Sequence, residues 1–155
     1  MRWTAFILAA LAPYGAAACP SYDYAAIENY HIEGDWLAEE VGFYVIAGGR
    51  FDVAACGVPG MPAAARGFFE DAPDFAFQVS GIAGRRLTIR VASECDAALL
   101  VNSATGAWFY DDDDSPVGSK DPQIVLTRPV DGRIDVWVGQ AIPAGCRARL
   151  TLQAG

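Results

Sequence analysis

Apolar and polar positions alternate along most of the chain. In Asp74–Ser80 (DFAFQVS), Phe75, Phe77 and Val79 share one face of an extended segment. In Arg86–Val91, Leu87, Ile89 and Val91 oppose Arg86, Thr88 and Arg90. Ile134, Val136 and Val138 repeat the pattern, and Ala148, Leu150 and Leu152 repeat it again near the end. Period-2 patterning of this kind predicts half-buried strands of antiparallel sheets. Gly42–Ala47 is β-branched and aromatic, and Arg50–Ala54 alternates; the Gly48-Gly49 between them predicts a hairpin. Ala97–Asn102 (AALLVN) reads as a more fully buried strand, and Trp108–Tyr110 and Gln123–Thr127 as two more. Residues 20–40 read as an irregular arm with one early strand, and Gly57–Arg66 as a loop. Turn signals recur roughly every 8–12 residues, which predicts an all-β fold. The expected architecture is a two-sheet antiparallel β-sandwich, jelly-roll or immunoglobulin-like, of about 8–9 strands.

The N-terminus does not fit this pattern. Arg2 precedes the uncharged run Trp3–Leu11, and Pro13, Gly15 and Ala16-Ala17-Ala18 follow. A basic start, a short apolar stretch and small residues before a cut describe a secretory signal peptide, here 1–18. The run is shorter than the roughly 20 apolar residues that span a bilayer. Cleavage would leave 19–155 as one domain beginning at Cys19. A cysteine at the cut also raises lipidation, but Ala16 stands where such sites usually carry Leu. The expected location is periplasmic or secreted. Lys120 is the single lysine against ten arginines, and with abundant Ala and Gly this suggests a Gram-negative bacterial source.

Composition narrows the partners. Eleven basic residues face nineteen acidic ones, for a net charge of −8. An acidic chain without a basic cluster in its sequence is a poor nucleic-acid binder. The expected partner is an extracytoplasmic protein or polysaccharide.

Cys19, Cys56, Cys95 and Cys146 all follow the cut, and an even number in an oxidising compartment predicts two disulfides. Spacing does not choose among the three connectivities; Cys19–Cys56 with Cys95–Cys146 is the expected one. Each would contribute roughly 3–4 kcal/mol in the chain-entropy model. Zinc is disfavoured, because there is no CxxC pair and only one histidine, His31. The same scarcity argues against nucleophilic catalysis, since a Ser-His-Asp or Cys-His site would need His31 and no GxSxG occurs. The chain therefore reads as a non-enzyme.

Two features suggest binding. Four consecutive aspartates, Asp111, Asp112, Asp113 and Asp114, repel one another unless water or a cation screens them. With Asp96 and Asp121 they make a candidate Ca²⁺ loop, although it lacks the spacing of an EF-hand. The competing reading is a solvated acidic turn. Trp108, Tyr110 and Trp137 make a candidate stacking platform, with core filling as its competitor.

The segments Cys95–Asn102, Gly106–Asp113, Asp121–Ile124 and Asp131–Gly139 together form a pattern. It is an Asp before an apolar strand, a Gly-x-Trp strand, an acid-rich loop and a closing strand ending Val-Gly. Over residues 42–153 this resembles the bacterial pre-peptidase C-terminal domain and its stand-alone exported relatives. The resemblance implies a β-sandwich accessory module assisting export, solubility or substrate binding, with Ca²⁺ bound in some related sandwiches. The alternative function is a structural or envelope-associated protein acting through protein–protein contacts.

Overall fold

The structure is a computed structural model that describes residues 18–113 and 121–155. Among the described residues eleven strands form: β1 Glu28–Glu33, β2 Val41–Ala47, β3 Phe51–Asp52, β4 Phe68–Phe69, β5 Phe75–Ser80, β6 Leu87–Ser93, β7 Ala97–Asn102, β8 Trp108–Asp111, β9 Gln123–Leu126, β10 Gly132–Gln140 and β11 Cys146–Ala154. They form two sheets packed as a β-sandwich. The four-stranded sheet runs β2-β11-β6-β9. The seven-stranded sheet is built around β10, which pairs β5, β7 and the short β4. Beyond these lie β1, β8 and β3. Pairing is antiparallel throughout, except that β1 runs parallel to β5 along its length.

The alternation read from the sequence decides which side chains meet. Leu87, Ile89 and Val91 of β6 and Leu150 and Leu152 of β11 turn inward from the smaller sheet. They meet Phe75, Phe77 and Val79 of β5 and Ile134, Val136 and Val138 of β10. Tyr30, Phe43, Phe75 and Phe77 form a ring cluster that joins β1 to β2 across the open side. Burial at about 25 cal/mol per Å² of apolar surface makes this layer the main source of stability.

A second core lies on the opposite face of the larger sheet. Ala98, Leu100 and Trp137 point there, and Val53, Ala65 and Phe69 cover them. This explains why β7 shows no alternation: both of its faces are buried. The covering loop is fastened by the Cys19–Cys56 disulfide and by Tyr110, whose hydroxyl accepts from the Arg66 N–H at 2.9 Å.

The hairpin expected at Gly48-Gly49 does not form. β2 belongs to the smaller sheet and β3 to the larger, so the glycines turn a corner between sheets. Gly48 has φ +128°, and its N–H reaches Val138 O at 2.9 Å. A Cβ on Gly49 would stand 1.9 Å from the Phe69 carbonyl carbon. Only glycine allows that crossing. The alternating run after it is also shortened, because Val53–Ala55 closes into a 3-10 turn capped by the Asp52 carboxylate on the Ala54 N–H.

Candidate binding face

The outward positions of the four-stranded sheet carry Tyr44, the most exposed of the large apolar side chains among the described residues, and Ile46. Tyr44 is 83% exposed and Ile46 62% exposed, both on β2. Across the ladder Tyr44 sits opposite Arg149, and Ile46 opposite Arg147. Ala92 of β6 lies beyond Arg149. These residues floor a groove of about 840 Å³. Ile27, Glu28, Asp74 and Phe75, around the starts of β1 and β5, line it together with Tyr44, Val45 and Ile46 of the edge strand β2. Cys95–Cys146 ties the segment after β6 to the first residue of β11.

The arginines on this face are positioned. Gly42 has no side chain, and a Cβ there would stand 2.4 Å from an Arg149 guanidinium nitrogen. The guanidinium therefore lies flat over the strand backbone. Arg149 Nη1 meets Glu40 Oε1 at 3.1 Å, and Arg90 Nη1 meets Glu40 Oε2 at 3.8 Å. Arg90 Nε also donates to Gln123 Oε1 at 3.0 Å. One carboxylate thus holds two guanidinium groups side by side. Exposed pairs of this kind add at most about 1 kcal/mol of stability, so their effect is chiefly geometric.

Asp74 supplies the polar edge of the groove. Its carboxyl is raised from 3.8 to about 7, first by burial and then by the charges of Glu70 and Glu28; the N–H of Val138 opposes the rise. Beside it, the Tyr30 hydroxyl donates to Glu28, which raises the tyrosine pKa.

The residues singled out in the sequence lie elsewhere. Cys19 bonds Cys56, and Cys95 bonds Cys146. Trp137 is 0% exposed, with Trp108 packed over it at 5.2 Å between ring centroids. Tyr110 holds the Arg66 backbone, and burial raises its pKa. Trp137 is therefore core, and its two neighbours fasten the loop above it; these rings offer a ligand no open platform. His31 is exposed on β1.

The acidic positions are likewise engaged. Asp111 Oδ2 accepts from the Gln123 N–H at 2.6 Å. Asp112 accepts from Tyr110 at 3.1 Å and faces Arg66 at 3.7 Å. Asp121 Oδ1 accepts from the Ser93 N–H at 3.1 Å and from its hydroxyl at 3.2 Å. Asp96, Asp112 and Asp113 share a cavity of about 40 Å³ with Arg66. Asp114 lies outside the described residues. Among the described residues no three His, Cys, Asp or Glu side chains form a group able to hold a metal ion. A Ca²⁺ ion needs six to eight oxygens, and here an arginine stands among the carboxylates. The described acids do not fit that cation.

Tyr44, Ile46, Arg147, Arg149 and Asp74 carried no motif. One signal for the face was present: Phe43-Tyr44-Val45-Ile46 is apolar at both parities, so a strand with one buried face must expose the other set. No family model, curated protein or solved structure matches the chain.

Proposed function

We propose that this chain is an exported β-sandwich module that binds a partner through the outward face of its four-stranded sheet. The groove beside Tyr44, Ile46 and Arg147 carries this reading. It combines exposed apolar side chains with fixed polar groups, the combination that ligand sites share. The two disulfides support an oxidising compartment. A leader at 1–18 and the accessory role implied by the pre-peptidase resemblance are consistent with it. Asp74 has a pKa suited to acid–base chemistry, but its Oδ2 is held by the Val138 N–H at 2.7 Å, which gives it a structural task.

Chemical-shift mapping with a panel of aromatic, sugar and carboxylate fragments tests the reading. Perturbations clustered on Tyr44, Ile46, Ala92 and Arg147 are expected. A panel that leaves these residues unmoved, or that moves the Phe109–Val130 side of the fold instead, overturns it.

A further inference from the structure

We infer that the free edge of β2 takes up an added strand, an extended apolar peptide with a basic residue supplied by another protein; this rests on the groove proposed above. The first ground is the edge itself. Among the described residues β2 pairs with β11 alone. Along β11, Arg147 O accepts the Glu94 N–H at 3.4 Å, and Gly155 and Arg86 exchange N–H···O bonds at 2.7 and 3.0 Å. These odd-numbered residues therefore turn their peptide groups to β6 and leave Ala148, Leu150 and Leu152 to bond β2. Opposite those three stand Val45, Phe43 and Val41, so Gly42, Tyr44 and Ile46 direct their N–H and C=O groups away from the sheet. Gly48 continues this phase, and its N–H is taken by Val138 O at 2.9 Å. For Tyr44 and Ile46 the described residues supply no such partner.

The second ground is how the other edges are built. Natural sheets guard their edges with charges, proline or short strands. β1 carries Glu28, His31 and Glu33. β3 has two residues, and β8 and β9 have four each. β2 has seven, with no charged side chain and no proline. A peptide laid along it gains main-chain hydrogen bonds together with cross-strand contacts to Tyr44 and Ile46. An added strand also sends alternate side chains to opposite faces. Ile27, Val45 and Phe75 give the groove an apolar lining for one of those sets.

The third ground selects the occupant. Glu28, Asp74 and Glu94 line the groove against Arg147 and Arg149, and Arg149 is paired with Glu40 at 3.1 Å. Glu28 and Asp74 are neighbours, since the Glu28 N–H bonds Asp74 O at 3.0 Å. Burial raises the Asp74 carboxyl first, and the charges of Glu70 and Glu28 raise it further. A lysine or arginine on the added strand relieves that crowding of like charge, and an acidic residue worsens it. The same reasoning disfavours a second copy. Each copy carries −8, and its β2 brings no basic side chain and follows Glu39 and Glu40.

The test is titration calorimetry of the oxidised chain with the peptide Thr-Val-Thr-Arg-Thr-Val-Thr, blocked at both ends. Binding is expected, and the same peptide with glutamate for arginine should bind at least roughly tenfold more weakly. N-methylation of alternate amides along one edge of the peptide should abolish binding. Along the other edge it should leave binding within about twofold, because only one edge of an added strand faces β2. Hydrogen exchange of the Tyr44 and Ile46 amides should slow in the complex. Glu28→Gln keeps an acceptor for Tyr30 and should weaken the arginine peptide by about twofold to fivefold. An unchanged melting temperature would show that this variant folds. Equal binding of the two methylated peptides overturns edge pairing, and equal binding of the glutamate peptide overturns the basic residue. A dimer with those two amides protected before peptide is added makes a second copy the occupant and overturns the inference. If fragments map to the groove but no peptide binds, this inference falls and the binding face stands. If neither binds, both fall.

Discussion

The Asp74 carboxylate accepts the Val138 backbone N–H at 2.7 Å, and the Val138 carbonyl accepts the Gly48 N–H at 2.9 Å. Along β10, pairing with β5 stops at Val136, opposite Phe75, and pairing with β4 falls at Gln140, opposite Phe68. Val138 falls in the gap between them. The side chain of Asp74, just before β5, and the corner glycine after β2 take the place of the missing strand. An unpaired buried peptide costs about 1–3 kcal/mol, so the gap has to be filled. The same carboxyl forms a wall of the groove, which ties the stability of the corner to the shape of the face.

This arrangement sets a pH dependence. With a native pKa of about 7 against an ordinary 3.8, folded Asp74 keeps a proton that the unfolded chain has lost between those values. Its contribution to stability therefore falls as pH rises from about 4 to about 7 and is level above. Asp74→Asn keeps an acceptor for Val138 and has no charge to desolvate. Urea midpoints should show the slope removed and the variant more stable by about 2–3 kcal/mol at pH 8. A variant less stable than the parent at pH 8 would contradict this account.

Asp131 behaves in the opposite sense. Its two oxygens accept from the Gly81 and Ile82 N–H groups, each at 2.9 Å, which lowers its pKa. That stabilisation is complete above the unfolded pKa near 4 and is lost as pH falls through the lowered native value. Asp131→Ala should lower the melting temperature at pH 7 and flatten the acid side of the stability profile. Identical profiles from pH 2 to 5 would remove the role assigned to this cap.

The acidic segment is expected to act through its hydrogen bonds. Replacing Asp121 by Ala removes the acceptor of the Ser93 N–H, while the Ser93 hydroxyl keeps the Cys95 carbonyl at 2.6 Å, and should cost about 1–2 kcal/mol. Thermal melts in excess CaCl₂ and in excess EDTA should show the same loss. A difference that depends on calcium would restore a cation to this loop.

Trp137 and Trp108 should separate by burial. Trp137→Ala removes a fully enclosed ring and is expected to cost about 3–5 kcal/mol in urea unfolding. Trp108 is half-buried above it, and its loss should cost less than half as much. Equal costs would mean that the loop covering the second core matters more than the ring beneath it.

The class of fold was legible because alternation is local. Leu87, Ile89 and Val91 need only their own strand's pleat to declare a buried face, and Leu150 and Leu152 do the same. The two-sheet sandwich, the turns and two disulfides followed from such nearby signals together with an even cysteine count. Pairing partners did not, because they join residues far apart in the chain. Gly48-Gly49 has the local chemistry of a hairpin, yet Phe69 and Val138, distant in sequence, make it a corner. Trp137 sits on a strand with two buried faces, and only the folding over of Val53–Phe69 hides it. The aspartates clustered in sequence, but in the fold they turn to Gln123, Tyr110 and Ser93. The groove has no sequence motif at all. Tyr44, Arg149 and Asp74 come together because sheet register and layer packing place them there. By itself the sequence determined most of the strands, their buried faces and the number of disulfides; the tertiary structure decided which cysteines pair and which exposed side chains share a surface, since both depend on contacts no local pattern encodes.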